Sequence, residues 1–130
     1  MLRLSHFSLY GDFETQEITT ALLLNPSWTL ERGELLEGAN SPARVATWDF
    51  YGPDEMGLNE QVEFLVTCLW ARKEALRKLT ARFHADLNLS FARNAGAETF
   101  TLKPDTLQKL ASLSITLNCF HGMDEVEDGD

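Results

Sequence analysis

Leu58, Val62, Leu65, Leu69, Leu76, Leu79 and Phe83 recur at steps of three and four, with one position of the stripe taken by Arg72. That spacing predicts a long helix from about Leu58 to Phe83, apolar along one side. Glu60 and Glu63 near its start and Arg77, Lys78 and Arg82 near its end suit the helix dipole. Coiled-coil pairing is the alternative use of such a stripe. Val66 and Trp70 widen it beyond a two-helix seam, toward the face of a helix laid on a globular core. A face this broad must be covered, so the remaining segments have to supply a sheet or further helices to cover it.

Those segments read mostly as strands. Ser5 to Tyr10 alternates, with Phe7 and Leu9 on one side and Gly11 at its end. Thr15 to Leu24 carries Ile18, Ala21 and Leu22 on a helical face, and Asn25-Pro26-Ser27 stops it because proline disfavours a helical residue before it. Trp28 to Ala43 reads as an irregular loop marked by Gly33, Gly38, Asn40, Ser41 and Pro42. Arg44 to Tyr51 alternates again, with Ala46, Trp48 and Phe50 on one face. After the long helix, Asp86 to Phe91 alternates, and Asn94-Ala95-Gly96-Ala97 reads as a hairpin connection to Thr99–Leu102. Pro104 opens a helix through Leu107, Leu110 and Ala111, and Ser114 to Phe120 is the last strand.

The order is strand, helix, strand, long helix, strand, strand, helix, strand. It implies an α+β two-layer sandwich, a mostly antiparallel sheet of about five strands with a long helix and two shorter helices packed on it. Residues 1–123 read as a single domain. The segment 124–130 holds five acids in seven residues and has a disorder composition. Cys68 on the helical stripe and Cys119 on the last strand read as small core hydrophobes, which fits a reducing, cytoplasmic setting. Neither a secretory leader nor an apolar run long enough to span a membrane is visible.

The residues Phe7-x-Leu9-x-Gly11-Asp12, Ile18-Thr19, Leu22-x-Leu24-x-Pro26-Ser27 and Gly33 share one spacing pattern with the Trp48 strand, the long helix and Leu107-x-x-Leu110-Ala111. In order and spacing this pattern resembles a bacterial family, domain of unknown function 4279, over nearly the whole chain. The resemblance implies a small α+β fold with no established activity. It also carries a hint that some relatives serve as immunity proteins beside secreted toxins. One residue departs from the pattern: Leu23 stands where the family usually has a glycine ending the first helix.

Charge narrows the function classes. Twenty Asp and Glu against eleven Lys and Arg give a net charge of −9, a surface that repels nucleic acid and favours basic partners. The acids crowd into residues 1–71 and the tail, while Arg72, Lys73, Arg77, Lys78 and Arg82 form one basic strip against Glu74. No Gly-x-Ser-x-Gly elbow, phosphate loop or zinc-ligand spacing occurs. His6, His84, His121 and Cys119 are the only soft ligand candidates, too scattered for a metal cage. The carboxylate pairs Asp12 with Glu14, Glu34 with Glu37 and Asp54 with Glu55 fall where solvation is the default.

The composition therefore points to an acidic protein-binding module rather than an enzyme, with no cofactor, metal, nucleic acid or membrane involved. Its most concrete form, which the family resemblance implies, is an immunity protein that occludes a basic toxin such as a nuclease. The expected contact residues are Trp28, as an aromatic anchor or else as a plug over the first helix, with Glu31, Glu34, Glu37, Asp54 and Glu55. The alternative is a small-ligand or enzymatic domain with a pocket between sheet and helices. Oligomeric state is not legible.

Overall fold

Phe7 and Leu9 alternate with Ser8 and Tyr10 along the first strand, and this alternation sets the two faces of the whole sheet. The computed structural model describes residues 5–92 and 100–123. The elements run β1 (Ser5–Gly11), α1 (Thr15–Leu22), β2 (Trp28–Leu30), β3 (Ala46–Tyr51), α2 (Leu58–Trp70), α3 (Lys73–Thr80), β4 (His84–Ala92), α4 (Pro104–Ser112) and β5 (Thr116–Met123). The strands form one sheet in the order β2-β3-β1-β4-β5. β1 pairs antiparallel with both β3 and β4, and β2 pairs antiparallel with β3. β4 and β5 pair in parallel, with α4 as the crossover. The fold is α+β with a mixed, mostly antiparallel sheet.

One face of that sheet is the core. Register places Leu9 opposite both Trp48 and Ala85, and Phe7 opposite both Phe50 and Leu87. Ile18, Leu22, Val62, Leu65, Leu69, Leu76, Leu79 and Leu110 close over this row from all four helices, in one continuous cluster. Two polar ties, one buried and one part-buried, fix the layers to each other. Ser5 Oγ donates to Gln61 Oε1 at 2.5 Å, and Trp48 Nε1 donates to Thr19 Oγ1 at 3.1 Å. Gly11 is required by close approach, since a Cβ there would meet the Phe83 ring at 2.5 Å.

The expected long helix is two helices. Arg72 adopts φ −115° and ψ 26°, ending α2 and starting α3. A continuous helix would aim Arg72 along the apolar stripe, into the core. The break instead lets its guanidinium reach carbonyls at two helix ends: Nε to Leu22 O at 2.7 Å and Nη1 to Cys68 O at 2.9 Å. One long and two shorter helices are thus replaced, among the described residues, by four of 8, 13, 8 and 9 residues.

Other expectations also change. Trp28–Leu30, expected as the start of an irregular loop, is an edge strand on β3, led in by Ser27 N donating to Asp49 O at 2.8 Å. Phe100–Leu102 is not a strand. Thr101 N donates to Asn59 Oδ1 on α2, and the neighbour of β4 is β5. The Asn94–Ala97 connection and the tail 124–130 lie outside the described residues. Cys68 is half-buried and Cys119 exposed, the latter on β5, which among the described strands has a neighbour on one side only. No described helix is long and apolar enough to cross a membrane.

Candidate functional site

No described helix packs on the second face of the sheet. Because paired residues share a face, the registers assemble rows across the strands. One row reads Trp28, Asp49, Ser8, Asp86, Thr116 from β2 to β5. The next reads Tyr51, His6, Asn88, Asn118, and on the other side lies Leu30, Thr47, Tyr10, His84. Ser8 therefore stands between two carboxylates, Asp49 and Asp86, two strand spacings or about 10 Å apart.

These polar groups are packed although no described helix lies over them. Ser8 is 0% exposed, Asn88 4%, and Asp49 and Asp86 8% each. Ser8 Oγ donates to Asp49 Oδ1 at 2.6 Å, and Asn118 Nδ2 donates to Asn88 Oδ1 at 3.1 Å. Asn88 Nδ2 lies 3.3 Å from His6 Nε2. Burial pushes the Asp49 carboxyl above its ordinary value, and the Ser8 hydrogen bond and the charge of His6 pull it partly back. Asp86 Oδ1 is buried and accepts no well-directed hydrogen bond, although His84 Nε2 lies 2.6 Å away and forms an ion pair with it when protonated.

Aromatic rings frame the row. Tyr10 stacks on His84 at 6.1 Å between centroids, and His6 meets Tyr51 edge-on at 6.0 Å. Trp28, 38% exposed, stands opposite Asp49, and Phe120 is 48% exposed on β5. Chemically, this is a surface with two desolvated carboxylates ready to accept hydrogen bonds from a cation, ringed by flat apolar groups.

The residues expected at the contact surface are distributed around this face. Trp28 lies on it, and not over the end of α1. Glu31 is tied into the fold: Oε1 accepts from Thr15 N at 3.2 Å and Oε2 from the Thr15 hydroxyl, so it caps α1 from outside the helix. Glu34 Oε1 accepts from Glu31 N at 2.8 Å and braces that cap. Glu37 is exposed, in a loop turned by Gly33 at φ +90° and closed by Gly33 N donating to Ala43 O. Asp54 and Glu55 are exposed beyond Tyr51, at the opposite end of β3. The six residues do not form one patch. The two acidic groups border opposite ends of the open face, separated by the length of β3, roughly 20 Å.

Asp49, Asp86, Ser8, Asn88, Tyr10 and Tyr51 were not singled out from sequence. The signal was present as the polar half of each alternation, Ser8 and Tyr10 against Phe7 and Leu9, and Asp86 and Asn88 against Leu87 and Leu89. Among the described residues, no three His, Cys, Asp or Glu side chains come together as a metal site.

The sequence pattern of the family called domain of unknown function (DUF4279) matches residues 2–120, and the chain belongs to that family. Comparison with curated proteins gave no match, and neither did comparison with solved structures. Within that match, Gly11 approaches the Phe83 ring too closely for a Cβ, and Gly33 has a left-handed backbone at φ +90°.

Proposed function

We propose that this DUF4279 chain is an acidic, non-catalytic protein-binding module of the cytoplasm, an immunity protein that binds and occludes a basic toxin such as a nuclease. The observation that carries the reading is the sheet face free of any described helix, on which Asp49 and Asp86, both nearly buried, flank Ser8 in one row with Trp28, with Tyr10 and Tyr51 in the adjacent rows. A lysine or arginine of the partner would insert over this row and satisfy Asp86 Oδ1, with Trp28 as the anchoring ring. Glu34 and Glu37 at one end of the face and Asp54 and Glu55 at the other supply the acidic rim. With a net charge of −9 they steer encounter. A cleft of about 600 Å³ lined by Asp12, Phe13, Glu14, Glu17, Glu31 and Arg32, the last paired with Asp12, carries a net excess of acids beside that rim. Nucleic acid and membrane have no place in this mechanism.

The test is affinity capture from the native host at low and high salt, followed by rate measurements on the purified partner. A basic protein whose association slows steeply with salt, and whose affinity falls tenfold or more (about 1.4 kcal/mol) with Trp28→Ala or Asp86→Asn, supports the reading. A partner indifferent to both substitutions, or no partner under any salt condition, overturns it.

A second reading, a small-ligand site, is favoured by one feature. A groove of about 610 Å³ runs between α2 and Thr101–Lys103, lined by Met56, Asn59, Glu60, Glu63, Phe64 and Lys103 among others. A ligand-induced rise in melting temperature that Phe64→Ala abolishes would favour this reading over the first.

A further inference from the structure

Three cations converge on one ring in the helix layer. Lys73 Nζ lies 5.0 Å from the centroid of Trp70, the Arg77 guanidinium carbon 5.6 Å and Lys109 Nζ 5.7 Å. Lys73 and Arg77 are one turn apart on α3, Lys109 comes from α4, and Trp70 ends α2, so the cluster exists only because three helices pack there. Like charges gathered around one ring repel one another, and the electron-rich ring face offsets only part of that repulsion. Among the described residues, just one ion pair reaches the group, Lys109 to Asp105 at 3.1 Å, and that carboxylate is largely exposed. Arg77 donates to the hydroxyl of Ser112 at 2.7 Å, a neutral acceptor. Lys73 and Arg77 have no carboxylate partner among the described residues.

We infer that Lys73, Arg77 and Lys109 around Trp70 form a binding site for a small polyvalent oxyanion of the phosphate type, such as a diphosphate group. A guanidinium fork and two ammonium groups offer several donors to one compact anion, and closing on it removes the repulsion among them. The size of the ligand follows from charge. A nucleic acid would meet the field of the entire acidic chain, whereas a small anion within about 8 Å of the cluster is governed by those three cations at physiological ionic strength. The site lies on the helix layer, opposite the open sheet face, and does not depend on the protein-binding role.

Inorganic pyrophosphate is the probe, titrated into the full chain by isothermal calorimetry and by following Lys73 and Arg77 side-chain resonances. One saturable site with a millimolar or tighter Kd is expected, about −4 kcal/mol or stronger. Lys73→Gln and Arg77→Gln should each weaken it several-fold. Lys78→Gln, removing a cation of the same helix outside the cluster, should leave it unchanged. Circular dichroism of each variant separates loss of the site from loss of the fold. Titration without saturation, or equal weakening by Lys78→Gln, overturns the proposal in favour of diffuse attraction to the basic strip.

Discussion

Arg72 Nε donates to the Leu22 carbonyl at 2.7 Å and ties the end of α1 to the junction of α2 and α3 across 50 positions of sequence. The same side chain reaches Cys68 O on α2. One cation therefore serves two helix C-termini, where unpaired carbonyls and the negative dipole end favour it. Arg72→Met should lower stability by about 2 kcal/mol, since both carbonyls lose a charged donor in a half-buried site. Arg72→Lys should recover less than half, because one ammonium cannot span both acceptors. Urea midpoints at constant m would measure this, and an unchanged midpoint would mean that water replaces Arg72 without loss.

Leu23 ends α1 in the left-handed region, φ 53° and ψ 47°, with its side chain 82% exposed. A non-glycine residue there carries a steric cost of roughly 1–2 kcal/mol, and an exposed leucine recovers little of it by burial. Leu23→Gly should raise stability by about 1 kcal/mol and the melting temperature by about 3–5 °C for a chain of this size. A fall in melting temperature would show that the Leu23 side chain contributes packing that outweighs its backbone strain.

Asp49 carries its effect through ionisation. Its pKa is raised in the folded state, chiefly by burial, so the fold binds this proton more tightly than the unfolded chain does. The stabilising contribution is complete below the ordinary carboxylate value and is lost as pH climbs through the raised one, leaving a net cost at neutral pH. Asp49→Asn keeps an oxygen to accept from Ser8 but removes the charge. The variant should be more stable than the parent at pH 7, with the gap closing toward pH 3.5 in urea titrations. A gap independent of pH would assign the effect to packing. Binding should move the other way, since the proposed partner cation needs that carboxylate.

The inward half of each alternation told the truth about the fold. Phe7, Leu9, Trp48, Leu87 and Leu89 lie in the core as their spacing predicts, and the acidic rim residues lie in connections. What the sequence hid was non-local. Nothing in the spacing around Arg72 says that its head will find Leu22, so the stripe read as one long helix. The parallel pairing of β5 with β4 leaves no mark on either strand. The open face was missed because its outward residues, Ser8, Asp49, Asp86 and Asn88, acquire meaning only when register puts them in one row. Taken singly, each looks like the solvated side of a strand.

Glu31 and Glu37 separate structure from recognition within one loop. Glu31 accepts from both the backbone and the hydroxyl of Thr15, which gives α1 the cap its own Glu14 side chain does not provide. Glu31→Ala should therefore cost about 1 kcal/mol of stability, as loss of a helix cap does. Glu37 is exposed in the same loop, so Glu37→Ala should leave the unfolding midpoint within about 0.5 kcal/mol of the parent. In association with a basic partner, the order reverses. Glu37→Lys should slow encounter several-fold at low salt, with the difference fading as salt rises, because a rim charge acts through steering. Stopped-flow mixing at two ionic strengths reads this directly. If Glu37→Lys changes dissociation instead of association, the Glu37 side chain lies inside the contact and the rim assignment is wrong.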